Sequence, residues 1–171
     1  MHGLVINHAF FLKGRNIMPW FKILCLAIFV LDILTKRFAS KFLQMGQQVV
    51  VIENVLNLTL IHNAGVAFGA LSKNSLVVIL LPIISIIIGV RILKNYHMTT
   101  RTRIASGLII GGFLGNFAER IVLGYVVDMI YFPFLPWFVC NIADIAITFG
   151  AVIFIISLLF RPNDWREKNV Q

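Results

Sequence analysis

Between Asn74 and Val90 the chain carries no ionisable side chain, and Arg91 ends the run. An uninterrupted apolar segment of that length fits a helix that crosses a bilayer, with Pro82 as a kink position. Composition agrees. Hydrophobic residues make up 59% of the 171 residues and charged residues 13%, and the mean hydropathy is +0.90. That is the profile of an integral membrane protein and not of a soluble domain.

Three further apolar segments can be read along the chain. The first runs from Trp20 to about Leu34, interrupted by Lys22 at its start and Asp32 near its end. A basic flank before a short apolar run imitates a signal peptide, but Lys36 and Arg37 stand where small residues would mark a cleavage site. An uncleaved helix is expected, with Lys22 snorkelling to the interface. The third segment, Ile104 to Ala118, contains Gly107, Gly111, Gly112 and Gly115, a spacing that lets helix backbones approach closely. The fourth runs from Asp144 to Phe160. The expectation is one membrane domain over residues 1–171, all-α, with four transmembrane helices at about 20–37, 74–92, 104–120 and 142–160.

The long connection from Phe38 to Ser75 is not featureless. Val49 to Ile61 is rich in β-branched residues, and Leu56, Leu58 and Leu60 alternate with Val55, Asn57, Thr59 and Ile61. That period of two, with Glu53-Asn54 as the turn, predicts a small extracytoplasmic β-element at about 47–62. Unpaired backbone cannot face hydrocarbon, so the hairpin belongs on the membrane surface. The stretch that follows, His62 to Leu71, has small residues suited to a loop that approaches something closely.

The net charge of +8 does not form one basic patch of the kind nucleic acid requires. Sorted by the expected topology, ten basic residues (Lys13, Arg15, Lys22, Arg91, Lys94, Arg101, Arg103, Arg161, Arg166 and Lys168) lie on one side, and five (Lys36, Arg37, Lys41, Lys73 and Arg120) on the other. The positive-inside rule then puts both termini in the cytoplasm. Asp32, Glu53, Glu119, Asp128 and Asp144 fall in the outer half. Trp20 and Trp137 read as interface markers. Cys25 and Cys140 read as inert packing residues, and the four scattered histidines give no support for a metal or other cofactor.

The stretch from Gly111 to Asp144 places Glu119, Arg120, Asp128 and Asp144 in otherwise lipid-compatible sequence, where ionisable groups are costly and mark function. Asp128 and Asp144 sit at the outer ends of adjacent segments, joined by a loop with Pro133 and Pro136. Two aspartates sharing a site cannot both ionise cheaply, so the pair supplies an acid and a base together. The carboxylate can take a proton from water while the protonated partner hydrogen-bonds a peptide carbonyl. The same residue types also serve as proton relays, which leaves a proton-coupled transporter or channel subunit as the rival reading.

Four blocks narrow the choice: Asp32-Ile-Leu-Thr35-Lys36, Asn63-Ala-Gly65-Val-Ala67-Phe68, Gly111-Gly-Phe-Leu-Gly115-Asn116 through Arg120, and Val127-Asp128 with Asn141-Ile-Ala143-Asp144. In this order they resemble the bacterial lipoprotein signal peptidases, signal peptidase II. The resemblance implies an intramembrane aspartic endopeptidase of the bacterial cytoplasmic (inner) membrane. Its substrates would be lipid-modified prolipoproteins, cut just before the diacylglyceryl cysteine, with membrane lipids and globomycin-type peptide inhibitors as further partners. It further implies a β-cradle and a short amphipathic helix over the site, with Asp128 and Asp144 as the catalytic pair. Asn63, Gly65, Asn116, Arg120, Asn141 and Ala143 match positions that line or brace that site. Glu119 stands where the family usually has Asp, so its carboxylate reaches one methylene further, and Cys140 stands where Phe is common. Plainer roles exist beside these. Asp32 and Lys36 can be a structural i,i+4 ion pair, Glu119-Arg120 an interfacial anchor, and Asn63 the cap of a turn.

Overall fold

The computed structural model describes residues 18–64, 80, 83–89, 91, 95–161 and 165–167. Three long helices dominate: α1 (Met18–Phe42), α2 (Thr100–Leu123) and α3 (Ile142–Phe160). Four strands form one antiparallel sheet in the order β1-β2-β4-β5, with β1 at Gln48–Ile52, β2 at Leu56–Asn63, β4 at Val126–Tyr131 and β5 at Val139–Cys140. Two more strands, β3 (Tyr96–Met98) and β6 (Trp165–Glu167), pair with each other. Of the second expected span, 74–92, residues 80, 83–89 and 91 are described and helical, and the remainder lies outside the described residues. The tail before residue 18, Gly65 and the amphipathic helix implied by the resemblance likewise lie outside them.

The helices are built inside out relative to those of a soluble protein. On α1 the buried stripe is Asp32, Lys36 and Ala39, spaced at one helical turn, while Leu26, Val30, Leu34 and Phe38 are exposed. On α3 the buried positions are Ala143, Ala146, Gly150 and Ser157, and Phe149, Val152, Ile156 and Leu159 face outward. Such surfaces would aggregate in water and are at home in hydrocarbon. Two of the described helices, α2 and α3, are long and apolar enough to cross a bilayer. With 25 residues, α1 is about 37 Å long, but Lys22, Asp32, Lys36, Arg37 and Lys41 interrupt its apolar character. It also runs past the expected end near residue 37 to Phe42.

α2 packs between α1 and α3, and its small residues let it approach both. Gly107 and Gly111 meet Leu24, Cys25 and Ile28 of α1. A Cβ at Gly115 would lie 2.5 Å from Asp32 Oδ2, and one at Gly112 would lie 2.5 Å from the Ala143 carbonyl oxygen. The glycine spacing therefore works as packing. Gly124, at φ 79°, ends α2 in the left-handed conformation and donates its N–H to the Arg120 carbonyl at 3.1 Å, which turns the chain into β4.

The expected hairpin is present, with its turn between Ile52 and Leu56 and Asn54 at φ 57°. Sequence reasoning missed that it is half of a larger sheet. β4 pairs with β2 and β5, and its first four residues, Val126 to Met129, are all buried. Leu60, Val127 and Met129 form a core with Ala39 of α1, so the sheet sits on the end of the bundle where α1 and α2 finish and α3 begins. At the other end β3–β6 joins the residues before α2 to those after α3, and Trp165 packs edge-on against Phe154 at 4.6 Å.

Gly112→Ala is expected to lower stability by about 1–3 kcal/mol, because the new methyl group meets backbone that cannot swing away. Gly89→Ala, whose Cβ would touch only the Ile110 side chain at 3.5 Å, is the control and should be near neutral. Thermal unfolding of the two variants in detergent measures the difference.

Candidate active site

Asp128 owes its position to strand register. Ile61 lies opposite Asp128 across the β2–β4 pair, so Asn63, two residues along β2, is the diagonal neighbour on the same face. Its amide Nδ2 donates to Asp128 Oδ2 at 2.9 Å. Asp144 is placed by a helix cap. Asn141 is the N-cap of α3, extended at φ −134°, and its Oδ1 accepts the Asp144 backbone N–H at 2.9 Å. The spacing Asn141-x-x-Asp144 is readable as an N-cap with an acid in the first turn, where the helix dipole favours a negative charge.

Two asparagines join the aspartates. Asn141 Nδ2 donates to Asp128 Oδ1 at 2.6 Å and to Asn116 Oδ1 at 3.1 Å. Asn116 Nδ2, from α2, donates to Asp144 Oδ1 at 2.7 Å. The asparagine amides have a forced orientation, since turning Asn116 over would aim its NH₂ at another NH₂ and at a lysine ammonium. A continuous path thus runs Asn63–Asp128–Asn141–Asn116–Asp144 across β2, β4, α3 and α2.

Behind this path lies Lys36, 1% exposed. Its Nζ reaches Asp32 Oδ2 at 2.7 Å, Glu119 Oε2 at 3.1 Å and Asn116 Oδ1 at 2.9 Å. Three donors meet three acceptors. The simple i,i+4 ion pair expected from sequence is therefore the nearer half of a buried cluster that includes the site. Asp32 extends it by accepting the Ala143 N–H on Oδ1 at 2.9 Å. Ala143 contributes through its backbone and its small size. Glu119 Oε2 also accepts the Val127 N–H at 2.9 Å, so it ties α2 to the strand residue just before Asp128. With these contacts Glu119 belongs to the cluster and is not merely an interfacial anchor. Arg120 donates from a terminal nitrogen to the Asn116 carbonyl at 3.5 Å and faces Asp144, Asp128 and Glu119 electrostatically. Its Nε is buried with no hydrogen-bond partner among the described residues.

Burial pushes the Asp128 carboxyl up to about 6, with the charge of Asp144 adding to the rise and the amides of Asn63 and Asn141 opposing it. Burial, then the two nearby aspartates, pushes the Cys140 thiol up to about 12, which keeps it an unreactive thiol. Among the described residues no three His, Cys, Asp or Glu side chains are grouped to hold a metal ion.

The comparisons agree with one another. The signal peptidase (SPase) II family model matches residues 24–160. The chain belongs to the signal peptidase II family. A lipoprotein signal peptidase of Pseudomonas aeruginosa (strain UCBPP-PA14) is 38% identical over 82% of this chain and 88% of its own length. Another, from Chlorobium phaeobacteroides, is 33% identical over 90% of this chain and 96% of its own. A solved bacterial membrane enzyme, 29% identical, superposes with a TM-score of 0.79 over 91% of this chain and 96% of that one. A second superposes at 0.75 with 28% identity over 85% and 96%. Among signal peptidase II sequences Glu119 is the departure noted above, and here the longer side chain spans both Lys36 and the Val127 amide.

Asn63→Ala removes a donor that favours the ionised form of Asp128. The midpoint of that carboxyl should therefore rise above about 6, by a fraction of a unit to about one unit for one lost hydrogen bond. A carbon-13 NMR titration of labelled aspartate carboxyls, read against Asp128→Asn, checks the direction.

Proposed function

We propose that the chain is an intramembrane aspartic endopeptidase that removes signal peptides from diacylglyceryl-modified prolipoproteins, cutting just before the lipidated cysteine. The observation that carries this reading is the bridging of Asp128 and Asp144 by Asn116 and Asn141. Those bonds hold two carboxyls on one polar path, fed by donors from three directions, where they can share a proton. Lipoprotein signal peptidase is also the activity by which the similar curated proteins are known. Family membership favours this reading over the proton relay.

The chemistry follows from the pair. With one proton between them, the ionised aspartate draws a proton from a water molecule as that water attacks the scissile carbonyl carbon. The protonated aspartate donates to the carbonyl oxygen, so the tetrahedral intermediate carries a hydroxyl and not a bare oxyanion. Collapse breaks the C–N bond as the amine leaves with a proton returned from the dyad. Asn63 and Asn141 steady the ionised form of Asp128, and Asn116 does the same for Asp144. Arg120 lies beside both carboxyls, and its buried Nε leaves a donor for the substrate backbone.

In the membrane, we place four transmembrane helices with both termini in the cytoplasm and the dyad near the outer leaflet. Support comes from the ten-to-five distribution of basic residues and from the aromatic and basic side chains at the site end. Phe38 and Phe42 pair at 4.5 Å, Lys41 lies over the Phe42 ring, and Trp137 is exposed. The acyl chains of the substrate would stay in the bilayer while the peptide reaches the dyad, so lipid burial at about 0.8 kcal/mol per CH₂ supplies much of the affinity. Globomycin-type peptides would compete for the site.

The test uses purified protein in liposomes with a diacylglyceryl-modified prolipoprotein and no added metal. Wild type should release the signal peptide. Asp128→Asn and Asp144→Asn should each lose at least about 10²–10⁴-fold in rate while remaining folded. Normal cleavage by either variant would remove the dyad assignment, and equal cleavage of unlipidated substrate would remove the lipid requirement.

A further inference from the structure

At the end of the bundle away from the carboxylates, α2 and α3 leave a cleft of about 370 Å³ lined by Arg101, Ile104, Ile153, Ile156, Ser157 and Arg161. Its walls are aliphatic, and Ile104 and Ile156 are exposed on the outward surfaces of their helices. Its ends are cationic. Arg101 lies in the first turn of α2, and Arg161 is the C-cap of α3. Fifteen residues of α2 separate Arg101 from Asn116, about 22 Å along the axis, so the cleft is separate from the polar path through Asp128 and Asp144.

The first turn of α2 carries Arg101 and Arg103 and no acidic residue. Cations there oppose the helix dipole, whose positive end attracts anions. Arginine also matches phosphate geometrically, offering two parallel donors. A small soluble anion would leave the isoleucine walls uncovered, and an uncharged acyl chain would leave both guanidinium groups unused. An amphiphile with a phosphodiester at one end and a hydrocarbon chain at the other satisfies both, and basic clefts between membrane helices are where anionic lipid headgroups settle.

We propose that this cleft is a binding site for an anionic phospholipid. Its phosphate lies between Arg101 and Arg161, and one acyl chain runs along Ile104, Ile153 and Ile156. The bound lipid cross-links the start of α2 to the end of α3, the two helices that present Asn116 and Asp144 at their other ends. The proposal is independent of the peptidase reading.

Thermal unfolding of the full-length protein in neutral detergent tests it, with phosphatidylglycerol, phosphatidylcholine or glycerol phosphate added. Phosphatidylglycerol should raise the unfolding temperature, and the other two should leave it unchanged. In Arg101→Gln/Arg161→Gln the apparent Kd for phosphatidylglycerol should weaken about 30-fold, the factor for losing two cations near an anionic headgroup. Ile153→Trp, which fills the cleft but keeps both arginines, should also abolish the effect. Equal stabilisation by phosphatidylcholine would reduce the site to a generic lipid contact, and stabilisation by glycerol phosphate to an ion site. Either result, or an undiminished effect in the double variant, overturns the proposal. The comparison of lipids on wild type decides the matter even where a variant fails to fold.

Discussion

A single ammonium group conditions the whole outer end of this molecule. Lys36 is buried with Asp32 and Glu119, and its third donor goes to Asn116. An unpaired charge in such surroundings would cost several kcal/mol, so the cluster holds only while every partner is in place. Each partner does a second job. Asp32 takes the Ala143 amide at the start of α3, Glu119 takes the Val127 amide of β4, and Asn116 takes Asp144. The requirement to satisfy one lysine therefore brings α1, α2, α3 and β4 to one point, and that point is where the two aspartates stand.

This arrangement separates two demands that share the same polar interior. Lys36 with its carboxylates is fully partnered, which suits a fixed brace. Asp128 is held by asparagine amides and not by a neighbouring cation, so burial and the charge of Asp144 can lift its carboxyl to about 6. A lysine placed directly on Asp128 would pull it the other way and leave the dyad without a proton to share. The asparagines between the cation and the aspartates act as spacers: they carry hydrogen bonds but no charge. The close helix contacts at Gly112 and Gly115 keep the braces short.

Much of this could be read in the chain. The apolar runs of α2 and α3, the hairpin with its turn at Glu53-Asn54 and the glycine spacing are local patterns, and local patterns survive without tertiary context. β4 does not announce itself, because Val126 to Tyr131 reads as lipid-compatible sequence, and its partner Asn63 lies 65 residues from Asp128. β5 has two residues and no periodicity to detect. For Lys36, sequence shows only Asp32 one turn away. Its other partners, Glu119 and Asn116, come from a distant helix, so a plain ion pair was the natural reading. The cap formed by Asn141 on Asp144 was legible in the spacing, and the hydrogen bonds that make Asn141 a bridge to Asp128 were not.

If the Lys36 cluster holds the site together through charge, its members should be coupled far more strongly than neighbours in ordinary packing. The direct measurement is the unfolding free energy of Lys36→Met in detergent, alone and combined with Asp32→Asn and Glu119→Gln. The single variant strands two buried carboxylates and should lose about 3–5 kcal/mol, while the triple variant, with no charge left to strand, should recover a large part of that loss. A Lys36→Met protein as stable as wild type, or a triple variant that loses the sum of its separate parts, would contradict the account.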